Sequence, residues 1–141
     1  MLNNKTFKEE AACEHFVALF ARHGISRDRL VMCYTRNWDG YRSVDIVLDP
    51  FPHNAGTTTF ESLWMGVPVL SKRDRPSVGR FGDAILSPLG LGDWVVDSVD
   101  EYIERAVVFA GNVPELERLR SQLRDRLRGS VLCNAPAFAR S

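Results

Sequence analysis

VDIVLDPFPHNAGTTTFESLWMGVPVLS, residues 44–71, sets the architecture of the 141-residue chain. Residues 44–49 form a β-branched apolar run, the pattern of a strand buried on both faces. Pro50, Pro52, Asn54 and Gly56 then interrupt regular structure. Thr57-Thr58-Thr59 opens a helix carrying Phe60, Leu63 and Trp64; Gly66 closes it, and residues 67–70 read as a second strand. Strand, helix and strand joined by short connections make the crossover unit of a parallel sheet, so the chain reads as α/β and Rossmann-like. In such sheets ligands bind at the carboxyl ends of strands, beside helix N-termini. Residues 50–59 occupy that place.

The residue types there suit a nucleotide. Gly56 has no Cβ and lets backbone come close to a ligand. The helix start leaves amides without intrahelical partners, and the positive end of the helix dipole favours an anion such as phosphate. Glu61, one turn on, has acceptor capacity for both hydroxyls of a ribose. A ligand-free reading competes: Thr58 and Glu61 fit the S/T-x-x-E capping box, which would consume one of the same amides.

Composition excludes several classes. Eighteen basic and eighteen acidic residues cancel, which argues against nucleic acid or a membrane surface as partner. No apolar run is long enough to span a bilayer, and MLNNKTFKEE lacks the apolar core of a signal peptide. Cys13, Cys33 and Cys133 form no CxxC pair and no metal pattern with His15, His23 or His53, so no metal site is expected. Idle thiols in a reducing cytoplasm follow. The 45% hydrophobic content suffices for one core, and the chain reads as one domain, residues 1–141.

Elsewhere the pattern is regular. Residues 7–23 read as a helix with Ala12, Phe16, Leu19, Phe20 and His23 on one face, Thr6 and Glu9 as a capping box, and Gly24 as its stop. Residues 30–34 read as a strand. Asp39-Gly40 marks a turn within residues 37–43, where Trp38 and Tyr41 are candidates to stack on a base. Lys72, Arg73 and Arg75 either screen a diphosphate or form a solvated loop. Ser77 precedes a helix over 78–86. Residues 94–96 form a short strand, and Ser98 with Glu101 is a further capping box, opening a helix with Tyr102, Ala106, Phe109 and Ala110 on its apolar face. Pro114 is placed at the first position of a helix over 114–128. Its narrow stripe, Leu116, Leu119, Leu123 and Leu127, is expected to pack back on the domain. Residues 130–141 read as an irregular tail.

The 44–71 run resembles the signature of the O-linked N-acetylglucosamine transferase and SPINDLY family, whose bacterial members carry D-x-x-L-D-P-F-P-x-N-x-G-T-T-T-x-E-x-L-W-M-G-V-P-V. Arg80, Gly82, Leu86, Leu89-Gly90-Leu91, Tyr102, residues 116–120 and Ser130-Val131-Leu132 resemble the downstream segment. Asn4-Lys5-Thr6-Phe7, His23-Gly24-Ile25 and Arg29-Leu30 fit upstream, so the likeness covers nearly the whole chain. It implies the C-terminal, nucleotide-binding half of a GT-B-type glycosyltransferase, with the preceding strand and helix absent. An open, apolar sheet edge would then favour self-association. The implied donor is UDP-GlcNAc, with no separate cofactor and with a protein acceptor once the other half is supplied. Thr57, Thr58 and Thr59 with Gly56 would hold the diphosphate and Glu61 the ribose; His53, Asn54 and Arg80 are further candidates. No general base is assigned. Residues 37–43 are shorter than in the family and lack its histidine, which leaves base recognition open. The alternative is a non-catalytic or vestigial nucleotide-binding or interaction module from a split gene. A response-regulator-like domain suits the alternation but lacks the acidic cluster and switch lysine.

Overall fold

The computed structural model describes residues 1–35 and 37–140, with backbone alone at 137 and 138. It contains two compact units, Met1–Val44 and Asp45–Ser141.

In the first unit β1 (Leu2–Asn3) pairs in parallel with β2 (Met32–Cys33), Leu2 opposite Met32. Between them lie a 3-10 turn (Lys5–Lys8) and α1 (Glu10–Ala21). The capping box expected at Thr6 does not form. The Asn4 carboxamide oxygen accepts from both the Thr6 amide and its hydroxyl, so Thr6 sits inside the 3-10 turn and α1 starts after Glu9 with no side-chain cap. Gly24 ends the helix at φ 74° as expected. Phe16 and Phe20 are half-buried, Phe16 edge-on to Phe7, whereas Leu19 and His23 of the expected face are exposed. Residues 37–43 form a 3-10 turn at Trp38–Ser43. None of the described residues of this unit is fully buried.

The second unit holds the core. Its three-stranded parallel sheet has the order β3 (Val47–Leu48), β4 (Val69–Lys72), β5 (Val95–Val96). Val47 lies opposite Val69 and Ser71 opposite Val95. Between β3 and β4 runs α2 (Thr57–Trp64); between β4 and β5 run a 3-10 turn (Ser77–Arg80) and α3 (Phe81–Leu86). α4 (Val99–Gly111), α5 (Val113–Gly129) and a last helical turn, α6 (Ala135–Phe138), follow. The strand expected to be buried on both faces is shorter and more open than its composition suggests. β3 is the outer strand of this sheet, and Leu48 stays 57% exposed.

Leu63, Val69, Leu70, Leu86, Trp94, Val96 and Tyr102 pack with the full stripe Leu116, Leu119, Leu123 and Leu127. A leucine row this narrow gains most by burial against its own domain, and α5 does so. Gly66 ends α2 at φ 77°, with the Val67 amide donating to Ser62 O and the Gly66 amide to Leu63 O, a Schellman motif. Arg124 donates to Trp64 O at 2.7 Å and lies over its ring, fixing α5 to the end of α2. Pro114 takes the second rather than the first helical position, because Asn112 caps α5 through the Glu115 amide. The tail, read as irregular, carries a 3-10 turn (Val131–Cys133) and α6; its last residue, Ser141, lies outside the described residues.

Candidate functional site

The tip of α2 is open. Gly56 is its N-cap and has no side chain to offer the first turn. The amides of Thr59 and Phe60 donate to Gly56 O. Those of Gly56, Thr57 and Thr58 have no hydrogen-bond partner among the described residues. The capping box considered for Thr58 and Glu61 is not made: Thr58 already lies within the helix, one residue past its start, where its hydroxyl cannot reach the amide three residues on as an N-cap would. The first turn itself holds no acidic residue.

The three threonines part company. Thr57 and Thr58 are exposed. Thr59 is 1% exposed and donates its hydroxyl to Ala55 O at 2.8 Å, so its side chain braces the turn rather than facing outward. Glu61, half-buried, follows Thr57 by four residues and Thr58 by three, which puts all three on one helical face. His53 is exposed on the loop.

Asn54, a candidate contact from the sequence, is instead an internal clip. It is 1% exposed, and its Nδ2 donates to Pro50 O at 3.1 Å and Lys72 O at 3.2 Å, while its amide donates to Val78 O. Its Oδ1 is buried without a donor among the described residues.

The loop rests on a side chain that the sequence reading passed over. Asp49, 1% exposed at the end of β3, accepts from the Ala55 amide at 2.8 Å through Oδ1 and from the Ser71 hydroxyl at 2.5 Å through Oδ2. Burial raises its carboxyl above the usual range, against the lowering effect of these two bonds. The Tyr102 hydroxyl donates to Asp49 O at 2.9 Å, and burial with the nearby Asp49 charge pushes that phenol up. Gly82 closes the arrangement. A Cβ on it would lie 1.9 Å from Ser71 Oγ and 3.2 Å from Asp49 Oδ2; one on Gly79 would lie 2.8 Å from Pro52 O. The available signal was an acid ending one apolar strand and a serine ending the next, with Gly-x-x-Gly beyond.

The cations divide. Lys72 pairs with Asp74 at 2.9 Å and lies over the Phe51 ring; this hydrogen bond is the main reason Asp74 titrates below the usual range. Arg73 pairs with Asp83 and Asp97. Lys72 is therefore engaged by its own loop, and Arg73 by α3 and by the residue after β5. Arg80 is exposed and makes no ion pair among the described residues. It precedes Phe81, whose ring lies 3.9 Å from where a Cβ on Gly56 would stand. Among the described residues no three His, Cys, Asp or Glu side chains are grouped to hold a metal ion. No helix among them is long and apolar enough to cross a membrane.

Residues 9–141 match the family described as Glycosyl transferase family 41. The chain is 34% identical over 140 residues to a protein of Arabidopsis thaliana named probable UDP-N-acetylglucosamine–peptide N-acetylglucosaminyltransferase SPINDLY, covering 96% of this chain and 15% of that one. The protein of the same name from Solanum lycopersicum is 32% identical over 142 residues, covering 97% and 15%. The chain thus spans about 15% of the length of these relatives. A mutant O-GlcNAc transferase of Thermobaculum terrenum superposes with a TM-score of 0.84 at 28% identity, over 90% of this chain and 25% of that one. The architecture is that of the GT-B glycosyltransferases. On sequence and on structure alike, the chain belongs to glycosyl transferase family 41.

Proposed function

We propose that the chain is the nucleotide-sugar-binding portion of a protein O-GlcNAc transferase-like enzyme and binds the UDP part of UDP-GlcNAc. The observation that carries this reading is the α2 tip: three successive amides, Gly56, Thr57 and Thr58, face no partner among the described residues at the positive end of a helix. The diphosphate takes those amides and the Thr57 and Thr58 hydroxyls, with Arg80 beside it, and Glu61 on the same face takes the ribose hydroxyls. The relatives named above supply the sugar, since their names specify UDP-N-acetylglucosamine and a peptide acceptor. In the transfer step an acceptor hydroxyl oxygen bonds to the anomeric carbon and releases its proton to a base, while the bond to the diphosphate oxygen breaks and UDP leaves with the electron pair. Amides fixed before charge develops stabilise the departing diphosphate at no reorganisation cost.

Turnover needs more than these 141 residues in this reading, which puts acceptor binding outside the part of the relatives that the chain spans. Leu48, exposed on the outer strand, supports self-association, which light scattering tests. The free thiols of Cys13, Cys33 and Cys133 suit a reducing, cytoplasmic setting. Calorimetric titration with UDP tests the site. The wild-type chain gives saturable heat, and the double variant Thr58→Ala, Glu61→Ala gives much less; equal heats refute the assignment. UDP binding without transfer, even when the missing regions are supplied as a second chain, favours the alternative of a non-catalytic binding module.

A further inference from the structure

We infer that Asp49 is the positioning residue of the α2 tip: by holding the Ala55 amide and the Ser71 hydroxyl at once, it sets the direction in which the Gly56, Thr57 and Thr58 amides meet a nucleoside diphosphate. The ligand's identity rests on the nucleotide reading above; the geometry does not.

Residues 50–56 contain two prolines and a glycine, and no strand pairs with them. Such a loop takes its shape from anchors. Asn54 provides anchors at its middle, to Pro50 O, Lys72 O and Val78 O. Asp49 takes the amide of Ala55, the residue immediately before the helix cap, while the Thr59 hydroxyl holds the Ala55 carbonyl from within α2. Its other carboxylate oxygen takes the Ser71 hydroxyl from β4, so one rigid group ties the ends of β3 and β4 to the start of α2. Gly82 packs so close to this pair that no larger residue fits without displacement, and Tyr102 holds the Asp49 carbonyl from α4. A buried carboxylate is costly, and a neutral clip would cost less. What the charge contributes is short, stiff hydrogen bonds, which suit a group whose task is direction. At 1% exposure Asp49 does not touch the ligand; it acts through Ala55.

The test uses the 141-residue chain, UDP as probe, and amide hydrogen exchange beside calorimetry. Asp49→Ala is expected to raise the Kd for UDP about tenfold or more, the scale of a lost charge-assisted hydrogen bond, and to expose the Ala55 amide to exchange. Asp49→Asn keeps an acceptor toward Ala55 and a partner for Ser71, and recovers UDP affinity to within about threefold of wild type. Leu127→Ala, in the core contributed by α5, lowers the melting temperature but leaves the Kd unchanged. Wild-type affinity in Asp49→Ala, or a Kd that follows melting temperature equally in all variants, overturns the proposal. Should Asp49→Ala not fold, Ser71→Ala carries the same comparison, and a Kd matching that of Leu127→Ala overturns it. If the wild-type chain gives no heat with UDP, the nucleotide reading fails by itself. Exchange at Ala55 then decides the role of Asp49: protection unchanged in Asp49→Ala, or in Ser71→Ala should Asp49→Ala not fold, overturns it.

Discussion

Two helix tips in the same unit, those of α2 and α4, use the same S/T-x-x-E pattern and end up opposite in kind. At α4, Ser98 enters in an extended conformation, φ −127° and ψ 162°, its hydroxyl accepts from the Glu101 amide, and Glu101 accepts from the Ser98 and Asp97 amides. That tip is closed by its own side chains, with Asp100 and Glu101 adding negative charge. At α2 the chain enters two residues earlier, at Gly56, because Asp49 holds Ala55. Thr58 is then already helical, and the amides of Gly56, Thr57 and Thr58 have no hydrogen-bond partner among the described residues. A capping motif therefore closes a helix only where the preceding chain places its first residue outside the helix. An open tip shows where another part of the fold has chosen the entry point.

The largest effect expected from disturbing this contrast comes from Gly82→Ala. The added methyl would lie 1.9 Å from Ser71 Oγ, so the Asp49–Ser71 pair must move; we expect a loss of about 3 kcal/mol in urea unfolding together with loss of UDP binding. A stable, UDP-binding variant would show that the pair does not govern the tip. Next comes conversion of one tip into the other. Gly56→Asp adds a Cβ in ordinary contact with Phe81 and places a carboxylate on the open amides. UDP affinity should fall about tenfold or more while the melting temperature holds. The mirror change, Ser98→Ala, should cost about 1 kcal/mol of stability and leave UDP affinity untouched. Coupled loss of binding in Ser98→Ala would erase the distinction.

The smallest effect is a difference of sign with pH. Burial raises the Asp49 carboxyl above 3.8, so its proton is held more tightly in the folded chain. Its contribution to stability is full below that value and is lost as pH rises through the raised one. Glu101 is held below 4.5 by the Asp97 and Ser98 amides, so its contribution is present above 4.5 and is lost as pH falls through the lowered value. Urea melts across the acid-to-neutral range should show Asp49→Asn gaining relative to wild type as pH rises. Glu101→Gln should gain relative to wild type as pH falls. Slopes of the same sign for both variants would contradict the contrast.

Much of this was legible before any coordinates. Periodicity located α5 and its leucine row, Gly66 and Gly24 marked real helix ends, and Ser98 with Glu101 formed its box as written. Residues 44–71 named the strand–helix–strand unit, because apolar runs and helix breakers are local signals. Strand extent was not legible: β3 shrank to Val47–Leu48 with Leu48 exposed, since burial depends on neighbours that a run of apolar residues does not specify. Nor was the division of labour among Thr57, Thr58 and Thr59, or the turning inward of Asn54.

By itself, then, the chain's order of residues determined which segments are helices and which loop carries a phosphate-friendly glycine and hydroxyls, because those preferences act over a few neighbouring residues. Only the tertiary structure decided that the tip stays open, because that depends on Asp49, Ser71, Gly82 and Tyr102. They stand up to 53 residues apart in sequence and meet only once the sheet is formed.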